Sequence, residues 1–329
     1  KAFFYKKLSP FCTFEAELYK FKLSLYKHLE VMAQEKKNAA FASVLASFFI
    51  TGFKLIVGLL TGSLGIISEA LHSALDMVAA VITYFSVRVS DKPADKEHNY
   101  GHGKVENLSA FIETILLLIT CVWIIYEATH RLLIGKTEIE VTPWSYVVVI
   151  TSILIDYSRS RKLSRVAKKH NSQALEADAL HFSTDIWSSA VVLFGLFSYQ
   201  FLNWKNADSV AALLVAAIVL VVAYRLGRKA IDVLLDKSPV NTAGIVDDVL
   251  KNYPEVLKCH SLKSRTAGAD TFIKFDLHFD PELSLHKVHE VCDKIENELR
   301  NKIPRSEIYI HAEPEETGHV EKERNSEGQ

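Results

Sequence analysis

The sequence predicts an α-helical membrane protein with six transmembrane helices, followed by a small cytosolic domain of the α+β class. Residues 39–226 consist mainly of long apolar segments, and about 20 consecutive apolar residues are typical of a helix that spans a bilayer. Beyond residue 236 the chain is rich in charge and has the periodicities of soluble helices and strands. We therefore divide the chain into four parts: an N-terminal extension (1–38), a membrane domain (39–236), a cytosolic domain (237–316) and a disordered tail (317–329).

The N-terminal extension mixes aromatic side chains with lysines. It lacks the apolar core and small-residue cleavage site of a signal peptide. One interpretation is a basic amphipathic helix that lies on an anionic membrane surface. The favoured interpretation is an upstream extension without a role, because Met32 opens a segment that resembles a natural start.

Six segments meet or approach the length and apolar character of a membrane span. They are residues 39–60, 64–89, 105–134, 143–157, 174–202 and 207–226. The fourth is short and the fifth begins with polar residues, so these two satisfy the criterion least well.

Basic residues in the connecting loops predict the orientation of the spans. Three connections are basic, through Lys92, Lys96 and Lys104, then Arg159, Arg161, Lys162, Arg165, Lys168 and Lys169, then Arg225, Arg228 and Lys229. The other three connections carry almost no net positive charge. Because lysine and arginine are retained on the cytosolic side, both termini are expected in the cytosol.

The cytosolic domain has the predicted element order αββαβ. Its elements are a helix over 242–252, strands over 257–265 and 271–279, a helix over 284–303 and a strand over 307–313. The second strand alternates strictly, with apolar residues on one face and Lys274, Asp276 and His278 on the other.

Overall composition excludes several classes of function. The formal net charge is −1 and 49% of the residues are hydrophobic, so the lipid bilayer is the expected partner and nucleic acid is not. The four cysteines are scattered without a CxxC pair, which argues against a disulfide framework and against a thiolate zinc site.

One octapeptide pattern occurs twice, at residues 69–76 and 178–185, as acid-Ala-Leu-His-x-x-x-Asp. Residues four apart share one face of a helix, so each copy offers one imidazole and one carboxylate to the same point. Two imidazoles and two carboxylates form a ligand set that a tetrahedral zinc-like ion accepts. The alternative is a structural hydrogen bond within each pair, but the repetition favours a shared metal site at His72, Asp76, His181 and Asp185.

Glu69 and Asp178 open the two copies, one helical turn before each histidine. We interpret them as groups that support the ligands or guide the ion toward them.

The connection after the second span contains a second candidate metal site. His98 and His102 are four residues apart, and Asp95 precedes His98 by three. A helical turn or a compact loop could direct all three toward one ion with an aqueous position left open. The alternative is a polar loop of capping and turn residues.

A third concentration of ligand-type residues lies in the cytosolic domain. His311 and Glu313 share one face of a strand, and His286 and His289 share one face of a helix, with His260 nearby in sequence. A metal site is the favoured interpretation, and a scatter of surface and core histidines is the alternative.

Taken together, these features resemble the cation diffusion facilitator family of divalent-metal/proton antiporters. The resemblance rests on the six-span pattern, the paired His-x-x-x-Asp helices, the segment Tyr-Gly-His-Gly-Lys-Val-Glu at 100–106 and the αββαβ domain. It extends over about residues 36–316. It implies a homodimer, and a ferredoxin-like or metallochaperone-like fold for the cytosolic domain.

The resemblance also implies roles for particular residues. It implies a transport site of His72, Asp76, His181 and Asp185, a loop site of Asp95, His98 and His102, and a cytosolic site of His260, Asp276, His289, His311 and Glu313. Asp276 stands where the family often has histidine, and Glu313 where it usually has aspartate. Lys104 and Asp236 are the expected charge interlock near the membrane surface.

The function expected from these features is export of divalent metal from the cytosol in exchange for protons, by alternating access. Four nitrogen and oxygen ligands favour zinc or cobalt over manganese, and family members with histidine at the position of His72 tend to favour zinc over cadmium. Zinc is the expected ion, with Co²⁺, Fe²⁺ and Cd²⁺ as alternatives.

Three other functions compete with transport: a metal-gated cation channel, a membrane-anchored metal sensor and an intramembrane metalloenzyme. An enzyme is not expected, because the chain lacks the His-Glu-x-x-His arrangement and four protein ligands leave no position for an activated water. The loop between the fourth and fifth spans is not histidine-rich, which favours a bacterial protein of the inner membrane.

Overall fold

The computed structural model describes residues 10–61, 64–134, 143–202 and 207–315, and at some helical positions the backbone alone. Its first part consists of six long helices. They are α1 (Pro10–Thr61), α2 (Leu64–Ser90), α3 (Lys104–Ile134), α4 (Pro143–His170), α5 (Gln173–Leu202) and α6 (Ala207–Leu234). The second part contains α7 (Thr242–Leu250), β1 (Val256–Ala267), β2 (Asp270–Phe279), α8 (Leu285–Lys302) and β3 (Ser306–Pro314).

Helix α1 begins well before the predicted span, at Pro10 instead of residue 39. No proline or glycine occurs between Phe11 and Thr51, so nothing in the local sequence interrupts the helix. Much of the N-terminal extension therefore continues the helix that contains the first span.

By length and apolar composition, three stretches of the described helices could cross a membrane: Val31–Leu60, Ala70–Ser90 and Lys104–His130. They correspond to the first three predicted spans. Helices α4 and α5 carry buried polar and charged side chains on their inward faces, including Asp156, Arg159 and Asp178. Such residues lower the apolar content of a helix that faces a bundle interior, and the number of spans stays a prediction.

Small side chains bring the helices close together. One core cluster joins α1, α2, α4 and α5 through Ala39, Ala40, Ala80, Val87, Leu163, Ala167, Ala174, Leu175, Ala179 and Phe182. Alanine-rich contacts permit close approach of helix backbones in lipid. Many large apolar residues point outward, as expected for a surface that faces lipid; Phe48, Phe49 and Leu60 are examples.

The second part has the predicted order of elements. Its sheet order is β1-β2-β3, with β1 antiparallel and β3 parallel to β2. The apolar face of β2 packs with α7 and α8 into one core, which includes Phe275, Leu277, Ile295 and Leu299. The opposite face of the sheet is therefore free to carry polar side chains.

The connection between α2 and α3 packs against the turn between β1 and β2. A Cβ atom on Gly103 would lie only 2.3 Å from the backbone oxygen of Ala267, so the two backbones are in direct contact. Gly268 has a φ of +61°, which favours glycine. Its N–H donates to Oδ1 of Asn107 at 3.1 Å, and Asn107 lies near the start of α3.

Charged and aromatic groups complete this junction. The Arg265 guanidinium lies 4.1 Å from the centre of the Tyr100 ring, which contacts Phe272 edge-on. Lys104 Nζ lies 2.9 Å from Asp236 Oδ1, and this lysine lowers the pKa of the Asp236 carboxyl. The two residues expected to form a charge interlock are thus paired within one chain, and their role in a dimer stays a prediction.

Candidate metal sites

The doubled motif brings its four side chains together between α2 and α5. His181 Nε2 lies 3.0 Å from Asp76 Oδ1 and 3.7 Å from Asp185 Oδ2, and His72 Nε2 lies 4.0 Å from Asp76 Oδ1. One ligand atom each from His72, Asp76 and Asp185 falls within 4.8 Å of the others. We call these four residues the four-ligand cluster.

The four-ligand cluster is largely buried, which makes its charges expensive unless they bind a counter-charge. His181 and Asp76 are buried, and His72 is partly exposed at the edge. Asp185 Oδ2 and His181 Nδ1 have no hydrogen-bond partner among the described residues. An oxygen ligand is thus available where a cation would bind.

Helix α1 is fixed beside this cluster by polar contacts to α2. Lys54 Nζ donates to Ser73 Oγ at 2.8 Å, and Thr51 Oγ1 donates to the Ser73 backbone oxygen at 3.0 Å. Ser73 directly follows His72. These bonds fix the position of the first motif copy relative to α1.

A buried arginine organises the interior of α1, α4 and α5. Arg159 donates to Asp156 at 3.2 Å and to Ser43 and Ser47 at 3.0 and 2.6 Å. Its guanidinium lies 3.5 Å from the centre of the Phe182 ring. Arg159 was expected in the basic connection after residue 157, but α4 continues to His170 and the side chain of Arg159 is buried inside the bundle.

Of the two acids that open the motif copies, the structure describes the side chain of Asp178 only; that of Glu69 lies outside the described side chains. Asp178 is fully buried and accepts a hydrogen bond from Ser43 Oγ at 3.0 Å. Within the described part of the chain it makes no hydrogen bond to the four-ligand cluster. Its predicted role beside the ligands stays a prediction.

The second candidate site is a compact loop between α2 and α3. Asp95 lies 3.4 Å from His98 Nδ1 and 3.4 Å from His102 Nε2, and the three residues offer ligand atoms within 4.8 Å of one another. Asp95 Oδ1 also accepts from the N–H groups of His98 and Glu97, at 2.7 and 2.9 Å. These backbone bonds lower the pKa of Asp95, so the carboxylate stays ionised and able to bind a cation.

In this loop, turn formation and metal-ligand geometry therefore coexist. One oxygen of Asp95 stabilises the turn, while both of its oxygens face histidine nitrogens. The two alternatives raised by the sequence are compatible, because the turn is what directs the histidines toward the carboxylate.

The third candidate site lies on the open face of the sheet. Strand register places His260 opposite Asp276, Asp276 opposite His311, and His278 opposite Glu313. Within this group, His260 Nε2 is 2.7 Å from His278 Nε2, and His278 Nε2 is 3.3 Å from Glu313 Oε2. We call His260, His278 and Glu313 the sheet cluster, since their ligand atoms lie within 4.8 Å of one another.

Two predicted ligands flank the sheet cluster. Asp276 Oδ2 lies 3.7 Å from His260 Nδ1, and His311 Nε2 lies 3.2 Å from Glu313 Oε1. His278 was not among the predicted ligands, although its alternation with Asp276 placed both on one strand face. Only the register across the three strands shows that His278, and not Asp276, faces Glu313.

His289 lies elsewhere in the single chain. It is on α8, which covers the apolar face of the sheet, and its side chain is 73% exposed and pairs with Asp293 at 3.6 Å. The sheet cluster is on the opposite face. One chain therefore does not bring His289 to the other predicted ligands of the cytosolic site.

Six long helices that bring two imidazoles and two carboxylates together, joined to a sheet domain with its own His and Glu cluster, define a membrane protein with candidate sites for metal cations. The sequence model of the cation efflux transmembrane domain matches residues 40–235, and that of the cation efflux protein cytoplasmic domain matches residues 240–315. The chain belongs to the cation diffusion facilitator family. It is therefore a membrane-embedded transporter of metal cations and not an enzyme.

Two relatives found by sequence agree with this assignment. The cation-efflux pump FieF of Shewanella oneidensis is 30% identical over 279 residues, which cover 84% of this chain and 94% of the relative. FieF of Pectobacterium atrosepticum is 32% identical over 260 residues, covering 77% and 84%. Among solved structures, the metal-bound C-terminal domain of the CzcD transporter from Thermotoga maritima is 30% identical, with a TM-score of 0.23, and covers 25% of this chain and 94% of its own.

Proposed function

We propose that this protein exports divalent metal cations, zinc foremost, from the cytosol in exchange for protons. The observation that supports it most is the four-ligand cluster, formed by two copies of one motif on two different helices. Two nitrogen and two oxygen ligands suit tetrahedral zinc. Co²⁺, Fe²⁺ and Cd²⁺ are the next candidates.

Protons and metal compete for the same atoms of the cluster. Histidine binds a metal ion only when it is neutral. When His181 is protonated, its Nε2 would instead form ion pairs with the carboxylates of Asp76, 3.0 Å away, and Asp185, 3.7 Å away. Protonation from the outside therefore releases the ion, and the return of these protons to the cytosol completes an exchange cycle.

The cycle we propose is alternating access, in which helices rock around a fixed site between two faces of the membrane. We place all six long helices across the bilayer, with both termini in the cytosol, and divide the chain into a membrane domain over 39–236 and a cytosolic domain over 237–316. Bacterial relatives support an inner-membrane location. We further propose a homodimer.

The direct test is zinc-dependent proton movement in proteoliposomes that contain the purified protein. We expect protons to move in the direction opposite to the zinc flux, and an imposed pH gradient to accelerate zinc uptake. A channel would conduct zinc down its own gradient with no dependence on the pH gradient. A sensor would lose all function on removal of residues after Pro239, whereas a transporter retains some flux.

For the cytosolic domain we propose regulation by zinc. Binding at the sheet cluster, with Asp276 and His311 beside it, draws the two copies of the domain together and favours the transporting state. The cluster supports this because imidazole and carboxylate are the ligands zinc accepts.

Calorimetry on residues 237–316 tests the regulatory site. We expect zinc binding by the wild type and at least about a 10-fold loss of affinity in the His278→Ala variant, since removal of even a supporting group of a metal site costs about 10–100-fold. His286→Ala, on α8, is the matched control and should bind normally. A wild-type domain that binds no zinc contradicts the proposal, and a normal affinity in His278→Ala assigns the site to other residues.

A further inference from the structure

One of the buried carboxyl groups inside the membrane bundle, outside every candidate metal site, belongs to a glutamate. Glu113, on α3, is fully buried. Its Oε1 accepts a hydrogen bond from Thr83 Oγ1 on α2, and its Oε2 has no partner among the described residues. The sequence gives no local reason for an acid here, because the neighbouring residues of α3 are mostly apolar.

The charges around Glu113 do not neutralise it. No lysine or arginine nitrogen lies within ion-pair distance of its carboxyl group in the part of the chain that the structure describes. From α5, Asp178 and His181 are the charged groups that act on it, and the carboxylate of Asp178 repels it. Helix α6 packs against α3 through apolar residues such as Ala223 and Leu226, and α2 contributes Thr83 and, two turns away, Asp76.

Asp178 has the same kind of unsatisfied atom. It is fully buried, one oxygen accepts from Ser43, and the other has no partner among the described residues. The guanidinium of Arg159 already donates hydrogen bonds to Asp156, Ser43 and Ser47. Two buried carboxylates that repel each other, with no lysine or arginine nitrogen within ion-pair distance among the described side chains, are costly, and a proton on one of them removes that cost.

Glu113 lies on α3, which packs against both motif helices. Thr83 lies seven residues after Asp76, two turns along the same face of α2, and Asp178 lies one turn before His181 on α5. Glu113 is therefore hydrogen-bonded to α2 and lies on a helix that packs against α5, on the side of the four-ligand cluster toward the soluble domain. Any relative movement of α2 and α5 changes the surroundings of this carboxyl group.

We propose that Glu113 is a proton-binding site of the transport cycle, separate from the histidines that bind metal. In the arrangement described here the carboxyl group is protonated and sealed from water. When α2 shifts against α3, the hydrogen bond from Thr83 breaks and water reaches the carboxyl group. Glu113 then releases its proton to water and becomes a carboxylate. This inference rests on the proposed exchange of metal for protons.

The test is the number of protons moved per zinc ion in proteoliposomes, for the wild type and Glu113→Gln. Glutamine keeps the size and the acceptor oxygen of a neutral carboxyl group but cannot release a proton. We expect Glu113→Gln to keep the zinc affinity of the four-ligand cluster and to move about one proton fewer per ion. Glu113→Asp should restore the wild-type ratio, and Glu127→Gln, farther along the same helix, is the matched control.

Infrared spectroscopy gives a readout that does not depend on transport. The wild type should show the C=O stretch of a protonated carboxylic acid that shifts when glutamate is labelled with ¹³C, and Glu113→Gln should lack it. Absence of this band in the wild type, or an unchanged proton-to-zinc ratio in Glu113→Gln, overturns the inference. Wild-type zinc movement without protons would instead overturn the exchange mechanism itself.

Discussion

Asp185→Ala should transport zinc at least about 100-fold more slowly than the wild type in proteoliposomes, because the loss of a supporting group at a metal site already costs about 10–100-fold. Asp185 supplies an oxygen that has no hydrogen-bond partner in the described part of the chain and lies 3.7 Å from His181. Alanine leaves three ligands, and His181 then faces a single carboxylate. We expect both zinc binding and zinc-driven proton movement to be lost.

The control for this variant is Thr184→Ala, at the adjacent position. Thr184 Oγ1 donates to the backbone oxygen of His181 within the same helix and offers nothing to a cation. Thr184→Ala should keep zinc transport close to the wild-type rate. Asp185→Ala with a wild-type rate would show that the transported ion binds elsewhere.

His72→Asp should change the preference among metals more than the rate for any one of them. The variant has one imidazole and three carboxylates, and a larger share of oxygen ligands weakens the preference for zinc. We expect the ratio of zinc to cadmium transport to fall by on the order of 10-fold, which corresponds to about 1.4 kcal/mol of differential binding. His72 is suited to this role because it is the partly exposed member of the cluster.

A panel of zinc, cadmium, cobalt, iron and manganese in proteoliposomes measures this selectivity. His130→Asp, the same substitution on α3 outside the three candidate sites, is the matched control and should leave the preference unchanged. If His72→Asp retains the wild-type order of metals, selectivity is set by residues other than the ligand at position 72.

The four-ligand cluster could be predicted because its geometry is local. A spacing of four residues fixes two side chains on one helix face, and the repetition of the motif implies that two such faces meet. The Asp95 loop was predictable for the same reason, since its three residues lie within eight positions of each other. In both cases short-range backbone geometry determines the contacts, and the tertiary fold adds only the meeting of α2 with α5.

The sheet cluster could be predicted only in part. Alternation shows which residues of one strand share a face, but the pairing of His278 with Glu313 depends on the register between β2 and β3. That register results from long-range packing of the apolar face against α7 and α8. His289 was assigned to this site from the concentration of histidines in the domain and from the resemblance, and in one chain it lies across the sheet.

Glu113 shows a different limit of prediction from the sequence. An acid inside an apolar span is a signal of function that sequence alone provides, yet the chain contains no second copy of its surroundings to draw attention to it. The absence of a neutralising cation near Glu113, in the described residues, depends on how three helices pack.

The contact between Gly103 and the β1–β2 turn affects how transport by a protein that lacks the soluble domain should be interpreted. Deleting the soluble domain removes the contacts of Tyr100 with Arg265 and Phe272. It also removes the N–H group of Gly268, which donates to Asn107 Oδ1. Because Tyr100 and Asn107 flank the start of α3, the remaining membrane part begins that helix with an aromatic ring more exposed than its 60% in the intact chain, and with a side-chain oxygen of Asn107 that has lost its donor. The metal flux through such a fragment is therefore a lower bound for that of the intact membrane domain. A deletion variant that tests the membrane domain alone should also replace Tyr100 with a polar residue.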